Sequence, residues 1–158
     1  MRSRIVVALL IVISFSACKQ EDKNKEIKTR TADLLYDRGE KISSDNFTGS
    51  AWLNSLVTAD SINRNAVGSV TFEPGARTYW HSHPGGQIIL ALEGEGFYQE
   101  KGSGKRILKK GDVIKCPANT PHWHGASVEK EFIQVAITGR EKGPTQWLQP
   151  VTVEEYNN

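Results

Sequence analysis

The sequence predicts an all-β domain, a sandwich or barrel, preceded by short N-terminal appendages. From residue 47 onward, short apolar–polar alternations are separated by Gly, Pro, Asn and Asp, which is the pattern of strands joined by turns. No long window repeats its apolar residues every 3.6 positions, so a helical bundle is not expected. A chain of 158 residues is also the right size for one domain.

Nine strands are predicted in this region, each bounded by turn residues. They are expected at residues 51–58, 67–73, 78–83, 87–92, 96–101, 105–109, 112–115, 122–126 and 132–138. Turns are expected where Gly and Pro cluster, at residues 74–75, 84–86, 93–94, 102–104 and 110–111. The tail contains Trp147 and Tyr156, and because large aromatic side chains are normally buried, it is expected to fold back on the barrel.

The N-terminus has the pattern of a secretory signal. Arg2 and Arg4 precede an apolar run at residues 5–15, which is too short for the roughly 20 residues that a helix needs to cross a bilayer. A basic start, a short apolar run and small residues before a cleavage point are typical of a signal peptide. Residues 1–17 are therefore predicted to be removed on export.

Cys18 directly follows Ser16 and Ala17, and this segment resembles a bacterial lipobox with Phe15 where Leu is commoner. The resemblance implies that Cys18 is acylated and anchors the mature protein to a membrane, facing the periplasm or the cell exterior. The alternative is ordinary secretion with an incidental cysteine. Residues 18–46 begin with an almost wholly polar stretch, which predicts a tether; within it, residues 32–36 are expected to form a helical turn or to pack along a barrel edge.

The charge balance excludes one class of partner. Lys and Arg number 20 and Asp and Glu number 18, so removal of Arg2 and Arg4 leaves no net charge. Nucleic-acid binding is therefore not expected. The two cysteines, Cys18 and Cys116, provide no disulfide framework, and Cys116 is expected to be a small buried hydrophobe.

All four histidines occur as two H-x-H pairs, His81 with His83 and His122 with His124. Residues i and i+2 of a strand project from the same face, so the imidazoles can converge inside a barrel, where Zn, Cu, Fe and Ni are all suitable metals. Gln87 begins the next strand and can add a neutral oxygen ligand. A single exposed H-x-H would indicate only a polar surface, but two pairs that hold every histidine predict a metal site.

Several neighbours have simpler interpretations. Trp80 and Trp123 alternate with the histidines and are expected to face away from them, in core or interface packing. Arg77 is expected to reach Glu73 or to have a structural or solvated role in a turn. Asp112 is expected to cap backbone amides, and residues 101–106 to form a hairpin turn and not a phosphate cradle, because no helix follows.

Two motifs resemble the cupin superfamily. The first is Gly75-x(5)-His81-x-His83-x(3)-Gln87-x(6)-Gly94, and the second is Gly111-x(5)-Pro117-x-Asn119-x(2)-His122. Gln87, Asn119 and Ala126 stand where the general pattern has Glu, Gly and Asn. The segments 68–78, 80–87 and 122–126 are similar to a subgroup of bacterial manganese cupins with hydroxynitrile lyase activity, and this likeness spans residues 47–156.

The resemblance implies a jelly-roll-type cupin barrel at residues 47–158 with metal ligands His81, His83, Gln87 and His122. It implies that His124 is a catalytic histidine beside the metal and not a ligand. The expected cofactor is a divalent metal, Mn²⁺ first, with Fe²⁺, Ni²⁺ and Zn²⁺ as alternatives. The expected reaction converts a cyanohydrin to an aldehyde and hydrogen cyanide.

Three functions remain open from the sequence, because one fold supports many chemistries. The leading hypothesis is a metal-dependent lyase acting on a small hydroxy or carbonyl compound. The others are an Fe(II)-dependent dioxygenase and a lipid-anchored module that binds a small ligand or a metal without catalysis. Many cupins form dimers, so the resemblance also implies that this chain can form a homodimer, with Trp80 or Trp123 available for its interface.

Overall fold

A computed structural model describes residues 35–158, so the predicted signal peptide, Cys18 and most of the tether, including residues 32–34, lie outside the described residues. In the described part no helix is long and apolar enough to cross a bilayer. The strands are β1 (Glu40–Lys41), β2 (Phe47–Thr48), β3 (Ala51–Val57), β4 (Asn65–Phe72), β5 (Arg77–Thr78), β6 (His81–Ser82), β7 (Gln87–Glu100), β8 (Arg106–Lys109), β9 (Val113–Cys116), β10 (His122–Ala126), β11 (Phe132–Gly139) and β12 (Gln146–Trp147). A short helix, α1 (Val153–Asn157), follows them.

The strands pair antiparallel in the order β1-β3-β4-β11-β7-β10-β5-β2, with β8 and β9 on β7, and β6 between β10 and β12. The all-β prediction is confirmed. The long strand β7 joins the two faces of the curled sheet. Its first residues pair with β9 and β11, whereas its later residues pair with β8 and β10.

The predicted turn at residues 93–94 is wrong, because the predicted strands at 87–92 and 96–101 are parts of the single strand β7, which ends at Glu100. Gly94 has a φ of 77°, and the register against β11 shifts two residues earlier, at Leu92, so that the strand bends without ending. A Cβ on Gly94 would lie 1.8 Å from the Glu131 carbonyl oxygen. Glycine therefore permits a bend at this position where the sequence pattern predicts a reversal.

The predicted strand at residues 78–83 is divided into β5 and β6. The interruption occurs where the C-terminal tail pairs with the chain: the Trp80 N–H donates to the Gln149 carbonyl at 3.1 Å, and the Leu148 N–H donates to the Trp80 carbonyl at 2.8 Å. The other predicted strands agree with the structure to within two residues at each end. The hairpin at residues 101–106 and the Asp112 cap on the Lys109 N–H, 2.8 Å away, are confirmed.

Apolar side chains form two clusters on opposite sides of the sheet that contains β10. The inner cluster fills the barrel and includes Phe72, Tyr98, Phe132 and the buried Cys116, as expected for that thiol. The outer cluster consists of Trp80, Trp123, Val151 and Tyr156, with Phe97 against it. The two tryptophans do face away from the histidines, but the chain's own tail buries them, so their assignment to a dimer interface is wrong.

The tail folds back on the barrel, as predicted, through Tyr156, whose hydroxyl donates to the Ala126 carbonyl at 2.8 Å. Trp147 differs from the prediction, because 38% of it remains exposed. Arg77 does not pair with Glu73. Its guanidinium donates to the Val151 carbonyl at 3.2 Å and lies 4.3 Å from the Tyr156 ring centroid, so Arg77 anchors the tail.

Glu155 provides a pH-dependent contact for the tail. Its carboxylate accepts from Trp80 Nε1 at 3.2 Å and from Lys101 Nζ at 3.0 Å, and it completes a capping box with Thr152. Burial alone would raise the pKa of Glu155, but hydrogen bonds from the Thr152 backbone, Trp80 and Lys101 lower that pKa from 4.5 to about 2. This stabilisation is therefore present above pH 4.5 and is lost as the pH falls towards 2.

Glu155→Gln is expected to lower the free energy of unfolding by about 0.5 kcal/mol at pH 7, because glutamine can keep the capping box but loses the negative charge near the helix N-terminus and opposite Lys101. The difference from wild type should shrink between pH 4.5 and the folded-state pKa of about 2. Urea denaturation of the full-length protein at pH 7 and pH 3 measures it. Glu154→Gln is the matched control, because Glu154 makes no side-chain hydrogen bond within residues 35–158; an equal loss in both variants contradicts the assignment.

Candidate metal centre

Three histidines meet inside the barrel. His81 in β6 and His122 at the start of β10 are Cα partners across an antiparallel pair, and His83 follows β6 directly. One nitrogen from each imidazole lies within 4.8 Å of the other two, and all three residues are buried. This arrangement can hold a divalent metal ion.

The backbone orients two of these rings. His81 Nδ1 lies 2.9 Å from the Tyr79 carbonyl oxygen, and His122 Nδ1 lies 2.8 Å from the Thr120 carbonyl oxygen. A carbonyl oxygen only accepts hydrogen bonds, so each Nδ1 must carry the proton and donate it. The lone pair on each Nε2 is then available, which is the outer contact typical of metal-ligating histidine.

His83 and Gln87 complete the set of donor atoms. His83 Nδ1 lies 3.1 Å from Thr145 Oγ1, and Gln87 Nε2 donates to Thr138 Oγ1 at 2.9 Å. His83 Nε2, Gln87 Oε1 and His122 Nε2 are buried without a hydrogen-bond partner among the described residues. Because buried polar atoms are rarely left unpaired, this constellation of lone pairs fits a divalent cation.

Burial keeps the three imidazoles neutral at neutral pH, the form that binds a metal. It is the main cause that lowers the pKa of His81 well below 6.5, with further lowering by His124 and His122. Burial and then His122 lower the pKa of His83 to about 3. Burial also lowers the pKa of His122.

The loop before β10 connects the two ligand-bearing segments. The Asn119 N–H donates to the His83 carbonyl at 2.9 Å, and Asn119 has a φ of 59°, the one positive value outside glycine in residues 35–158. Asparagine tolerates this left-handed conformation better than most residues. That explains why Asn119 can stand where the resembling motif has glycine.

His124 lies beside the group of three but is not a member of it. Its ring centroid is 5.2 Å from that of His81, and its Nδ1 is buried without a hydrogen-bond partner among the described residues. Burial is the main cause that lowers the pKa of His124 well below 6.5, followed by His122 and His83. The side chain is therefore neutral at neutral pH, with a free lone pair, and it is a weaker base than an ordinary imidazole.

A cavity of about 280 Å³ opens next to the histidines. His81, His83, Gln87 and His124 line it, whereas His122 does not. Most of the remaining wall is apolar and includes Ile42, Phe47, Leu53, Val57, Val67, Val70, Phe72 and Trp147. Such a cavity suits a small molecule with an apolar body and a polar group directed at the histidines.

Sequence reasoning missed three residues around this site. Gln134 is fully buried, and its side-chain amide has no hydrogen-bond partner among residues 35–158. It lies close to His124 and raises the pKa of His124, against the lowering by burial. A polar residue inside the apolar run of β11 was the available signal for Gln134. Thr138 contacts Gln87, 51 positions away in the sequence, and Thr145 contacts His83, 62 positions away. No local sequence pattern marks these two threonines.

Comparisons with known proteins give a consistent family. The cupin domain model matches residues 68–137. An (R)-mandelonitrile lyase from Granulicella tundricola is 39% identical over 114 residues, covering 72% of this chain and 87% of that protein. The crystal structure of a cupin-like protein from Thermotoga maritima is 51% identical, with a TM-score of 0.76, covering 78% of this chain and 94% of that one.

A shorter match involves a different activity. An acireductone dioxygenase from Alcanivorax borkumensis is 32% identical over 66 residues, covering 40% of this chain and 36% of that protein. The matched region thus covers about a third of the dioxygenase, whereas the match to the lyase covers most of that protein.

Proposed function

This chain belongs to the cupin family, and from that premise we propose that it is a metal-dependent lyase that cleaves a cyanohydrin to an aldehyde and hydrogen cyanide. The observation that carries the proposal is a set of buried ligand atoms on His83, Gln87 and His122, beside His81, that have no hydrogen-bond partner within residues 35–158. The mandelonitrile lyase activity of a relative at 39% identity supports the choice of reaction.

The proposed metal ligands are His81, His83, Gln87 and His122, with Mn²⁺ as the first choice and Fe²⁺, Ni²⁺ or Zn²⁺ as alternatives. All four side chains are neutral, so they leave the charge of a divalent ion uncompensated and favour an oxygen ligand that can become anionic. When bound, the metal supplies Lewis acidity to a substrate oxygen.

In this proposal His124 moves the proton. Its imidazole lines the cavity and is neutral at neutral pH, so it can take the proton of the cyanohydrin hydroxyl and later give it to the departing cyanide. The apolar wall formed by Phe47, Phe72 and Trp147 accommodates the organic substituent of the substrate and excludes water from it.

The direct test measures cyanide release from mandelonitrile by the full-length protein loaded with Mn²⁺, with metal content determined in the same sample. Release above that of the metal-free protein is expected. Its absence from fully loaded protein would refute the lyase proposal.

The second candidate is a dioxygenase, favoured by the partial match to an acireductone dioxygenase. For this activity the Fe²⁺-loaded protein should consume oxygen in the presence of a diol or an enediol, and should release no cyanide. Inertness in both assays, together with tight metal retention, would favour the lipid-anchored binding module.

We also propose that the protein is exported and held at a membrane by acylated Cys18, and that a homodimer is its assembly. The support for the anchor is the signal pattern of residues 1–17 and the small residues before Cys18. The support for the dimer is family resemblance alone.

A further inference from the structure

Arg140 is the one charged residue that lines the cavity beside the histidines, as far as residues 35–158 are concerned. It follows the last residue of β11, and its N–H donates to the Arg64 carbonyl at 2.8 Å, which holds its backbone in place. Arg140 is exposed as well as cavity-lining. Its side chain therefore stands where the cavity meets solvent.

The guanidinium is directed towards the candidate metal centre. Arg140 Nη1 donates to Thr145 Oγ1 at 3.0 Å, and the same oxygen lies 3.1 Å from His83 Nδ1. None of the ion pairs in the described part of the chain includes Arg140. A guanidinium has five N–H donors, and Nη1 is the one guanidinium nitrogen of Arg140 with a hydrogen bond to another residue among residues 35–158.

The charges of the cavity wall are unbalanced. Within residues 35–158 no Asp or Glu lines it, so Arg140 is not paired with an opposite charge in the cavity wall. A positive charge at the edge of an otherwise apolar cavity attracts anions, and the planar guanidinium matches a carboxylate in two parallel hydrogen bonds.

We propose that this site accepts a small carboxylate with an apolar body, and that Arg140 binds its carboxylate and so determines specificity. The inference rests on the proposed function, because it takes this cavity as the substrate site. Under this assignment a neutral cyanohydrin is accepted for its shape, whereas a hydroxy or oxo acid of similar shape gains an additional ion pair.

The test compares two probes that differ in one group. (R)-Mandelate and (R)-mandelamide share the phenyl ring and the hydroxyl, but only mandelate has a carboxylate. Calorimetric titration of the full-length Mn²⁺-loaded protein should show that Arg140→Gln lowers the affinity for mandelate by at least about tenfold, the loss typical of one hydrogen bond to a charged group. The affinity for mandelamide should fall by less than about twofold. Arg140→Lys should be intermediate, because it keeps the charge but loses the planar pair.

Lys142→Gln is the matched control, because Lys142 is a nearby basic residue that does not line the cavity; it should leave both affinities unchanged. Metal content is measured in every variant, since Arg140 contacts Thr145 next to His83. The inference is overturned if Arg140→Gln lowers the affinities for both probes equally or changes neither. It is also overturned if Lys142→Gln lowers the mandelate affinity as much as Arg140→Gln does, or if the wild-type protein does not bind mandelate at millimolar concentration. Binding needs no turnover, so this result is independent of the cyanide assay.

Discussion

His81→Ala is expected to abolish metal retention. His81 presents its Nε2 to the group because the Tyr79 carbonyl holds Nδ1, and the ring lies within 4.4 Å of the His122 ring, centroid to centroid. Loss of an outer partner of a ligand typically costs 10- to 100-fold in metal affinity, so loss of the ligand itself should cost more than about 100-fold. Metal content after dialysis against a weak chelator, followed by calorimetric titration with Mn²⁺, measures the change.

Ser82→Ala is the control for that experiment. Ser82 is the next residue of β6 and is also buried, but its hydroxyl donates to Gln146 Oε1 at 3.3 Å, away from the histidines. The control should retain one metal ion per chain, and thermal unfolding of both metal-free variants checks that the barrel is intact. If His81→Ala retains metal as well as Ser82→Ala does, the proposed centre is wrong.

His124→Ala is expected to keep the metal and to lose turnover. His124 is outside the group of three imidazoles whose nitrogens lie within 4.8 Å of one another, so its removal leaves those donors in place. General acid–base catalysis contributes about 100- to 10,000-fold, and kcat for cyanide release should fall by that factor. Steady-state kinetics with parallel metal analysis tests the prediction.

His124→Gln provides a second variant for the same role. Glutamine fills part of the space and keeps hydrogen-bonding groups, but it cannot take up a proton at neutral pH. Its kcat should therefore be as low as that of His124→Ala, with metal content again unchanged. Loss of metal in both variants to the level of His81→Ala would contradict the separation of roles.

The fold could be predicted wherever a single local pattern decides the outcome. The alternation of apolar and polar residues in β3, β10 and β11 placed those strands within a residue or two of their observed ends. The pattern failed at Gly94, because glycine occurs both in reversals and in bends, and the close approach of the Glu131 carbonyl, which a side chain at this position would prevent, comes from a segment distant in the sequence. It also failed between β5 and β6, where the pairing partner is the tail around Gln149.

The neighbourhood of the site was predictable in part for the same reason. Strand alternation put the H-x-H pairs on one face and the tryptophans on the other, and the tryptophans are indeed in the outer cluster. Arg77 was misjudged in part, because its contacts with Val151 and Tyr156 join residues more than 70 positions apart. No pattern of neighbouring residues contains that information.

By itself the sequence determined the β class, the two histidine pairs that share a face, and the glutamine positioned to join them, since these depend on strand period and on spacing along the chain. Only the tertiary structure decided that three imidazoles approach one another while His124 stands apart. It also decided that Thr138 and Thr145 contact Gln87 Nε2 and His83 Nδ1, which leaves Gln87 Oε1 and His83 Nε2 free for a metal, and that Arg140 is the charge at the cavity's edge. The physical reason is that antiparallel pairing of distant strands sets these distances, and such pairing is a property of the folded sheet and not of any one segment.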